Sequence, residues 1–181
     1  MMKKSIQYKG NINLLKLPKT AFLCSRSISA TAVLKCYDWA IVQREAGNCV
    51  ISGFHSQIEK DVLQYLLKGA QPIIVALARG LKTKLEPEFE KPLEQGRMLI
   101  ITPFDKSVNR VTEQTAEIRN KLMLNIADNI TIGYASKGGK LEQLLAFFFS
   151  SVFADRTFVK LLFHIEEKDI MKNFGMELHK T

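Results

Sequence analysis

Six short apolar runs, separated by segments whose apolar residues recur at helical spacing, constrain this 181-residue chain more than any other feature. The runs are Lys19–Ser25, Cys49–Gly53, Pro72–Leu77, Arg97–Thr102, Asn129–Ala135 and Phe158–Ile165. A strand that is apolar on both faces has to be covered on both, and a helix between successive strands supplies the crossover of a parallel sheet. Helices are expected at Ala30–Arg44, with Val33, Tyr37, Ala40 and Ile41 on one stripe, and around Ile58, Val62, Tyr65 and Leu66, closed by Lys68-Gly69. A short helix is expected within Pro87–Gln95, then Thr112–Ala127 with Ile118, Leu122 and Ile126 inward, and Leu141–Val152. The predicted fold is α/β, a three-layer Rossmann-like arrangement with a mainly parallel sheet of about six strands. It spans residues 19–165, between a basic N-terminal segment (1–18) and a C-terminal tail (166–181) anchored through Ile170, Met171, Phe174 and Met176.

Hydrophobic residues make up 46% and charged residues 24%, which excludes disordered, collagenous and disulfide-scaffold chains. Cys24, Cys36 and Cys49 are odd in number and lie 12 and 13 residues apart, matching no zinc or redox pair, so reduced thiols are expected. Met1-Met2-Lys3-Lys4 is followed by the polar stretch Ser5–Gly10 rather than an apolar core, so no signal peptide is expected. The oiliest stretch, Leu144–Phe149 and on to Ala154, is too short to cross a bilayer, which predicts a cytoplasmic protein without membrane contact. The net charge is +8, and residues 1–44 hold eight of the 26 basic residues against Asp38 alone. So local an excess either draws polyanions by releasing their counterions or belongs to a loosely ordered basic arm.

In an open parallel sheet, ligands sit beyond the carboxyl ends of the strands, near the point where strand order reverses. The loops predicted to meet there are Cys24-Ser25-Arg26-Ser27, Ser52-Gly53-Phe54-His55-Ser56-Gln57, Ala78-Arg79-Gly80 and Ser136-Lys137-Gly138-Gly139-Lys140. Each feeds a helix start or a bend, where unpaired N–H groups favour anionic oxygen, and Arg26, Arg79, Lys137 and Lys140 suit phosphate. Neither a dinucleotide glycine fingerprint nor a P-loop lysine motif is present. His55 reads as a loop-capping or solvent-facing residue rather than the base of a Ser52 nucleophile, and His164 and His179 belong to no metal cluster. No catalytic residue, metal or cofactor is assigned.

The order of these patches resembles the Rossmann-like domain of the DNA-processing protein A (DprA/Smf) family. Ser25-Arg26, Val50-Ile-Ser-Gly53 with Ile58-Glu59, Ile74-Val-Ala-Leu with Gly80-Leu81, Arg119-Asn120-Lys121 and Gly139 with Leu141 stand where that family reads GSR, VSGLARGID, IAVLGTGL, RNR and SGSL. Tyr8-Lys-Gly-Asn matches its lead-in, so the resemblance covers about residues 8–165. It implies binding of single-stranded DNA and, in transformable bacteria, delivery of the strand to a recombinase during natural transformation. The implied phosphate-contacting set is Ser25, Arg26, Ser52, Gly53, Arg119, Asn120, Lys121, Gly138 and Gly139. Arg26 and Arg119, neither predicted to fill the core, would act as rigid forks and Lys121 as a point charge, while Asn120 would hold a loop through backbone groups. The chain departs from the pattern at Cys24, Ser56, Gln57 and Lys121, which replace glycine, arginine, glycine and arginine. It ends soon after the sixth strand, which predicts a member lacking the winged-helix and N-terminal helical domains.

Two function classes remain open at this level. One is a binding module for single-stranded nucleic acid, with Tyr8, Phe54 or Phe104 either stacking on bases or packing in the core. The other is a small-nucleotide binder or a nucleotide-cleaving, phosphoribohydrolase-like enzyme, with Glu142 steadying an oxocarbenium-like sugar and Arg119 on the phosphate. Turnover is the less favoured expectation. The helix around Leu144–Phe153 is apolar nearly all round, so its second face is expected to be covered by a homodimer partner or by the tail.

Overall fold

The computed structural model describes residues 6–152 and 158–161. Its elements are β1 (Gln7–Gly10), β2 (Lys19–Cys24), α1 (Ala30–Glu45), β3 (Cys49–Ser52), α2 (Gln57–Leu67), β4 (Ile73–Ala76), α3 (Glu90–Glu94), β5 (Met98–Thr102), α4 (Glu113–Ile126), β6 (Asn129–Tyr134), α5 (Lys140–Val152) and β7 (Phe158–Leu161). They form one sheet in the order β1-β5-β4-β3-β2-β6-β7. The six expected strands run parallel to one another. A seventh, β1, lies antiparallel to β5 at the edge, Gln7 opposite Thr102 and Gly10 opposite Leu99. Gly10 has φ 103, and a Cβ there would lie 2.3 Å from the Met98 carbonyl oxygen, so only glycine ends this strand without strain. Of the three aromatic candidates for stacking, Phe54 and Phe104 are buried, whereas Tyr8 on β1 is exposed.

Alternation along each strand divides the core into two layers. Ala21, Leu23, Ile51, Ile74, Ala76, Leu99, Ile101, Ile130 and Ile132 meet Met123 and Leu124 of α4 and Leu144, Leu145 and Phe148 of α5. Phe22, Cys24, Val50, Ile73, Val75, Met98 and Ile100 meet Cys36, Trp39 and Ala40 of α1 and Ile58, Val62 and Leu66 of α2. Two helical stripes differ from expectation. In α1 the buried residues are Ala32, Cys36, Trp39 and Ala40, with Val33, Tyr37 and Ile41 only half-buried, and in α4 they are Arg119, Met123 and Leu124, while Ile118 is exposed. In α4 the inward face is rotated by about one residue because an arginine, which no hydrophobic pattern counts as core, occupies an inward position. In α5, Phe147 points outward and lies 5.0 Å beneath the Lys121 ammonium, so part of the outer face is covered within the chain.

The strand order reverses between β2 and β6, and their seam is tied at both ends. At the lower end the Lys19 ammonium meets Asp128 Oδ2 at 2.9 Å, Lys19 N–H donates to the same carboxylate, and Asp128 N–H donates to the Lys19 carbonyl. At the upper end Ser25 N–H donates to the Tyr134 carbonyl at 2.8 Å, and Ser136 N–H donates to Ser25 Oγ at 3.1 Å. All three cysteines are free and buried. No helix among the described residues is long and apolar enough to cross a membrane. The expected continuation of the last strand past Leu161, Phe153, His164, His179 and the 166–181 tail lie outside the described residues.

Candidate nucleic-acid interface

The chain leaves β2 through Ser25 and Arg26 and leaves β6 through Ala135–Gly139, so these two loops flank the reversal point. Ser25 knits them together, and Ser136 Oγ adds a bond to the Ser27 carbonyl at 3.3 Å. Arg26 is exposed on one loop, Lys137 and Gly138 on the other. Gly138 takes φ 68, which a side chain would oppose, and its N–H donates to Glu142 Oε2 at 2.5 Å. Gly139 N–H donates to the Ser136 carbonyl, and a Cβ at Gly139 would lie 2.7 Å from that oxygen. Glu142, the carboxylate of the nucleotide-cleaving reading, thus closes its own loop. Lys140 pairs with Glu113, joining the starts of α5 and α4.

The β3 loop is organised by a carboxylate to which sequence reasoning assigned no role. Glu59 is buried, and its Oε2 accepts from His55 N–H at 2.8 Å and Ser56 N–H at 3.1 Å. Its Oε1 accepts from Cys24 N–H at 3.3 Å, coupling this loop to the end of β2. Glu59 N–H donates in return to Ser56 Oγ at 3.2 Å, and this capping box is the signal that was available: a serine followed three residues later by glutamate. Ser52 is fully buried, and its Oγ accepts from Phe54 N–H, so it shapes the turn from within. Phe54 itself sits at φ 44, a left-handed conformation that bulky residues rarely adopt.

Arg119 differs most from the expectation that it would stay out of the core. It is 4% exposed. From α4 it reaches over the strand tips, where Nη1 donates to the Ala76 carbonyl at 3.2 Å and Nε to Asn120 Oδ1 at 2.7 Å. A Cβ at Gly53 would come within 1.5 Å of Nη1, so the missing side chain of Gly53 is the space the guanidinium fills. Burial holds the Arg119 pKa below its ordinary value, and the nearby Glu59 carboxylate opposes that shift. Asn120 was expected to bond backbone groups, but its Oδ1 is occupied by Arg119 Nε. Lys121 lies about two turns down α4, paired with Glu117 at 2.6 Å and stacked on Phe147, in the contact with α5 rather than at the tips.

Ser25, Arg26, Ser52, Gly53, Gly138 and Gly139 lie at or just after the C-terminal ends of β2, β3 and β6, the rim of the parallel sheet. Arg26 is close enough to influence both His55 and Glu113. Although His55 is an exposed residue by area, partial burial of its ring, with Arg119, Arg26 and Lys60 nearby, holds its pKa below the usual imidazole range against the pull of Glu59. Beside this rim, at the ends of β3 and β4, lies a cavity of about 270 Å³ bordered by Gly53, Phe54, Arg79 and Arg119. It stands on the α2 side of the sheet, away from the β2–β6 reversal. No group of residues able to hold a metal ion occurs among the described residues.

Comparison with known proteins gives these contacts a setting. The profile of a family described as DNA recombination-mediator protein A matches residues 3–145. The X-ray structure of DNA processing protein A from Streptococcus pneumoniae superposes with a TM-score of 0.70 at 16% identity, over 94% of this chain and 59% of that one. DNA processing protein A from Helicobacter pylori, in a structure concerned with its single-stranded DNA binding mode, also gives a TM-score of 0.70 at 16% identity, over 94% of this chain and 77% of that one. The chain therefore spans less than two thirds of the length of the pneumococcal relative. No curated protein matches the sequence.

Proposed function

Because the chain belongs to the DNA recombination-mediator protein A family, we propose that it binds single-stranded DNA across the C-terminal tips of β2, β3 and β6 as part of DNA uptake or recombination. The observation that carries this reading is the Ser25 knot, which holds the Arg26 loop and the Lys137-Gly138-Gly139 loop on either side of the reversal point. Parallel sheets collect ligands at that point. The starts of α1, α2, α4 and α5 lie on the same rim, so their dipoles add to the exposed charges of Arg26 and Lys137. The H. pylori relative, whose structure concerns single-stranded DNA binding, has the same fold.

Within this reading the predicted residues divide their work. Arg26 and Lys137 meet phosphate directly. Ser25, Gly138 and Gly139 shape the crevice floor, while Ser52, Gly53, Arg119 and Asn120 hold the neighbouring loop in place. Charge on the strand's backbone makes the binding indifferent to sequence and sensitive to salt. The test is a titration of a fluorescent oligonucleotide at several salt concentrations. Arg26→Ala and Lys137→Ala should each weaken binding and lower the salt slope by about one, without a change in melting temperature. Absence of salt-sensitive binding at micromolar protein and low salt would refute the proposal.

A further inference from the structure

The fold assembles a cysteine pair that the spacing along the chain hides. Cys24 ends β2 and Cys36 faces it from α1, both in the core layer that holds Phe22, Trp39 and Ala40. They meet over Gly133 of β6, where the β2–β6 register shifts between Leu23 and Cys24. A Cβ at Gly133 would lie 2.7 Å from Cys36 Sγ and 3.2 Å from Cys24 Sγ, so the two sulfur atoms share the space that a side chain there would take. The Phe22–Trp39 stack, with ring centroids 4.7 Å apart, holds the same strand and helix together beside them. Cys24 and Cys36 also share a hydrogen bond. That bond, with burial adding to it, pushes the Cys24 thiol above the usual thiol range, and it holds Cys36 below that range against its own burial. Cys49 stands apart in the opposite core layer, where burial pushes its thiol up to about 11.

We infer that Cys24 and Cys36 are a redox modification site, joined by a peroxide into a disulfide that clamps the start of α1 to the end of β2. The thiolate is the reactive form, which assigns the first attack to Cys36. Its sulfur takes one peroxide oxygen as the O–O bond breaks, giving a sulfenic acid and a hydroxide that solvent protonates. Cys24 Sγ then attacks the Cys36 sulfur; the S–S bond forms, the S–O bond breaks, and the Cys24 proton leaves with the hydroxyl as water. Two thiols and one peroxide thus become one disulfide and two waters. Cys36 is sealed and Cys24 is only 6% exposed, so the oxidant has to be hardly larger than water and enters as the first turns of α1 open. The closed ring runs from residue 24 to residue 36 and contains Arg26 and the Ser29 cap of α1. Oxidation therefore fixes the backbone of a loop that flanks the reversal point, whatever that loop binds.

Peptide mapping tests this, because trypsin leaves Cys24, Cys36 and Cys49 in separate peptides, 20–26, 36–44 and 45–60. Native protein is treated with hydrogen peroxide, its remaining thiols are alkylated, and the digest is analysed by mass with and without dithiothreitol. The expected product is a 20–26/36–44 pair that dithiothreitol splits, with Cys49 alkylated. In concentrated urea the separations of 12 and 13 residues let Cys36 join either neighbour, so both pairs should form there. Cys49→Ala should link as wild type does, and Cys36→Ala should leave Cys24 unpaired. The oxidised protein should also melt roughly 6–12 °C above the reduced one, the effect of closing a ring of this length. Native protein that yields no Cys24–Cys36 pair, or that pairs Cys36 with Cys49 as readily as it does in urea, overturns the inference. A melting temperature that is unchanged or lower overturns the clamp. The comparison of native with unfolded wild type needs no substituted protein, so it decides the matter even if a variant fails to fold.

Discussion

Replacing Gly53 by alanine isolates the energetic tie between the β3 loop and α4. The backbone itself accepts alanine, since Gly53 is not among the residues with positive φ. Taken alone, the change should stabilise the protein by about 0.4–1 kcal/mol through the unfolded chain. The new Cβ, however, would fall 1.5 Å from Arg119 Nη1 and 2.1 Å from Cζ. If the guanidinium moves aside, the charged bond to the Ala76 carbonyl is lost, at about 1.5–3 kcal/mol. If it stays, overpacking costs about 1–3 kcal/mol. Either route leaves a net loss of roughly 2 kcal/mol. In an Arg119→Ala background the same methyl enters vacated space, so Gly53→Ala should there be neutral or slightly stabilising. The coupling energy of the cycle is then about 2–3 kcal/mol, well above the ~0.5 kcal/mol scatter of independent sites. Urea unfolding of the four proteins, read at constant m, measures it. Equal costs for Gly53→Ala in the two backgrounds would show that the guanidinium does not occupy this space.

Three further outcomes follow from other contacts of the fold. The folded-state pKa of His55 is lowered, so the unfolded chain binds more protons as pH falls below about 6.5 and stability declines there; His55→Gln should flatten that decline in urea midpoints measured from pH 7.5 to 5. A phosphate at the rim raises the same pKa, so DNA affinity should rise as pH falls through this window in wild type and change less in His55→Gln, and an affinity that fell equally in both would contradict the placement. At Gly133 a Cβ would lie 2.7 Å from Cys36 Sγ and 3.0 Å from Phe22 Cζ, so Gly133→Ala should cost about 1–3 kcal/mol. Cys36→Ala should recover part of that loss, and thermal melts of the pair would expose any failure to do so.

The sheet was legible because the parallel strands are short, mostly apolar runs and α1, α2 and α4 carry serine or threonine caps at their starts. Strand β1 was not, since Gln7-Tyr8-Lys9-Gly10 shows no apolar alternation and is held by backbone pairing to β5. The loops at the tips could be placed by counting strand ends, but the work of the side chains within them could not. Arg26 is exposed as expected, whereas Arg119 occupies the interior of α4's inward face because a glycine elsewhere in the chain leaves room for it. That pairing of residues 53 and 119 is a fact of tertiary packing, with no local signature. Lys121 falls out of the rim because of the face it occupies: it lies on the side of α4 toward Phe147 of α5, whereas Arg119, two residues earlier, reaches the end of β4. Arg79 read as one more basic residue of a loop, and only its surroundings show that a donor is left over.

The seam between β2 and β6, fastened below by Lys19 with Asp128 and above by Ser25 with Ser136, has a mechanical consequence. Two sheet halves joined so firmly cannot hinge apart like a jaw to admit a guest. Accommodation has to come from the surface segments above the seam, whose backbone is shaped largely by side-chain tethers, and the sheet beneath serves as a stiff base plate of fixed width. A strand laid across it would adapt its own curvature to that width.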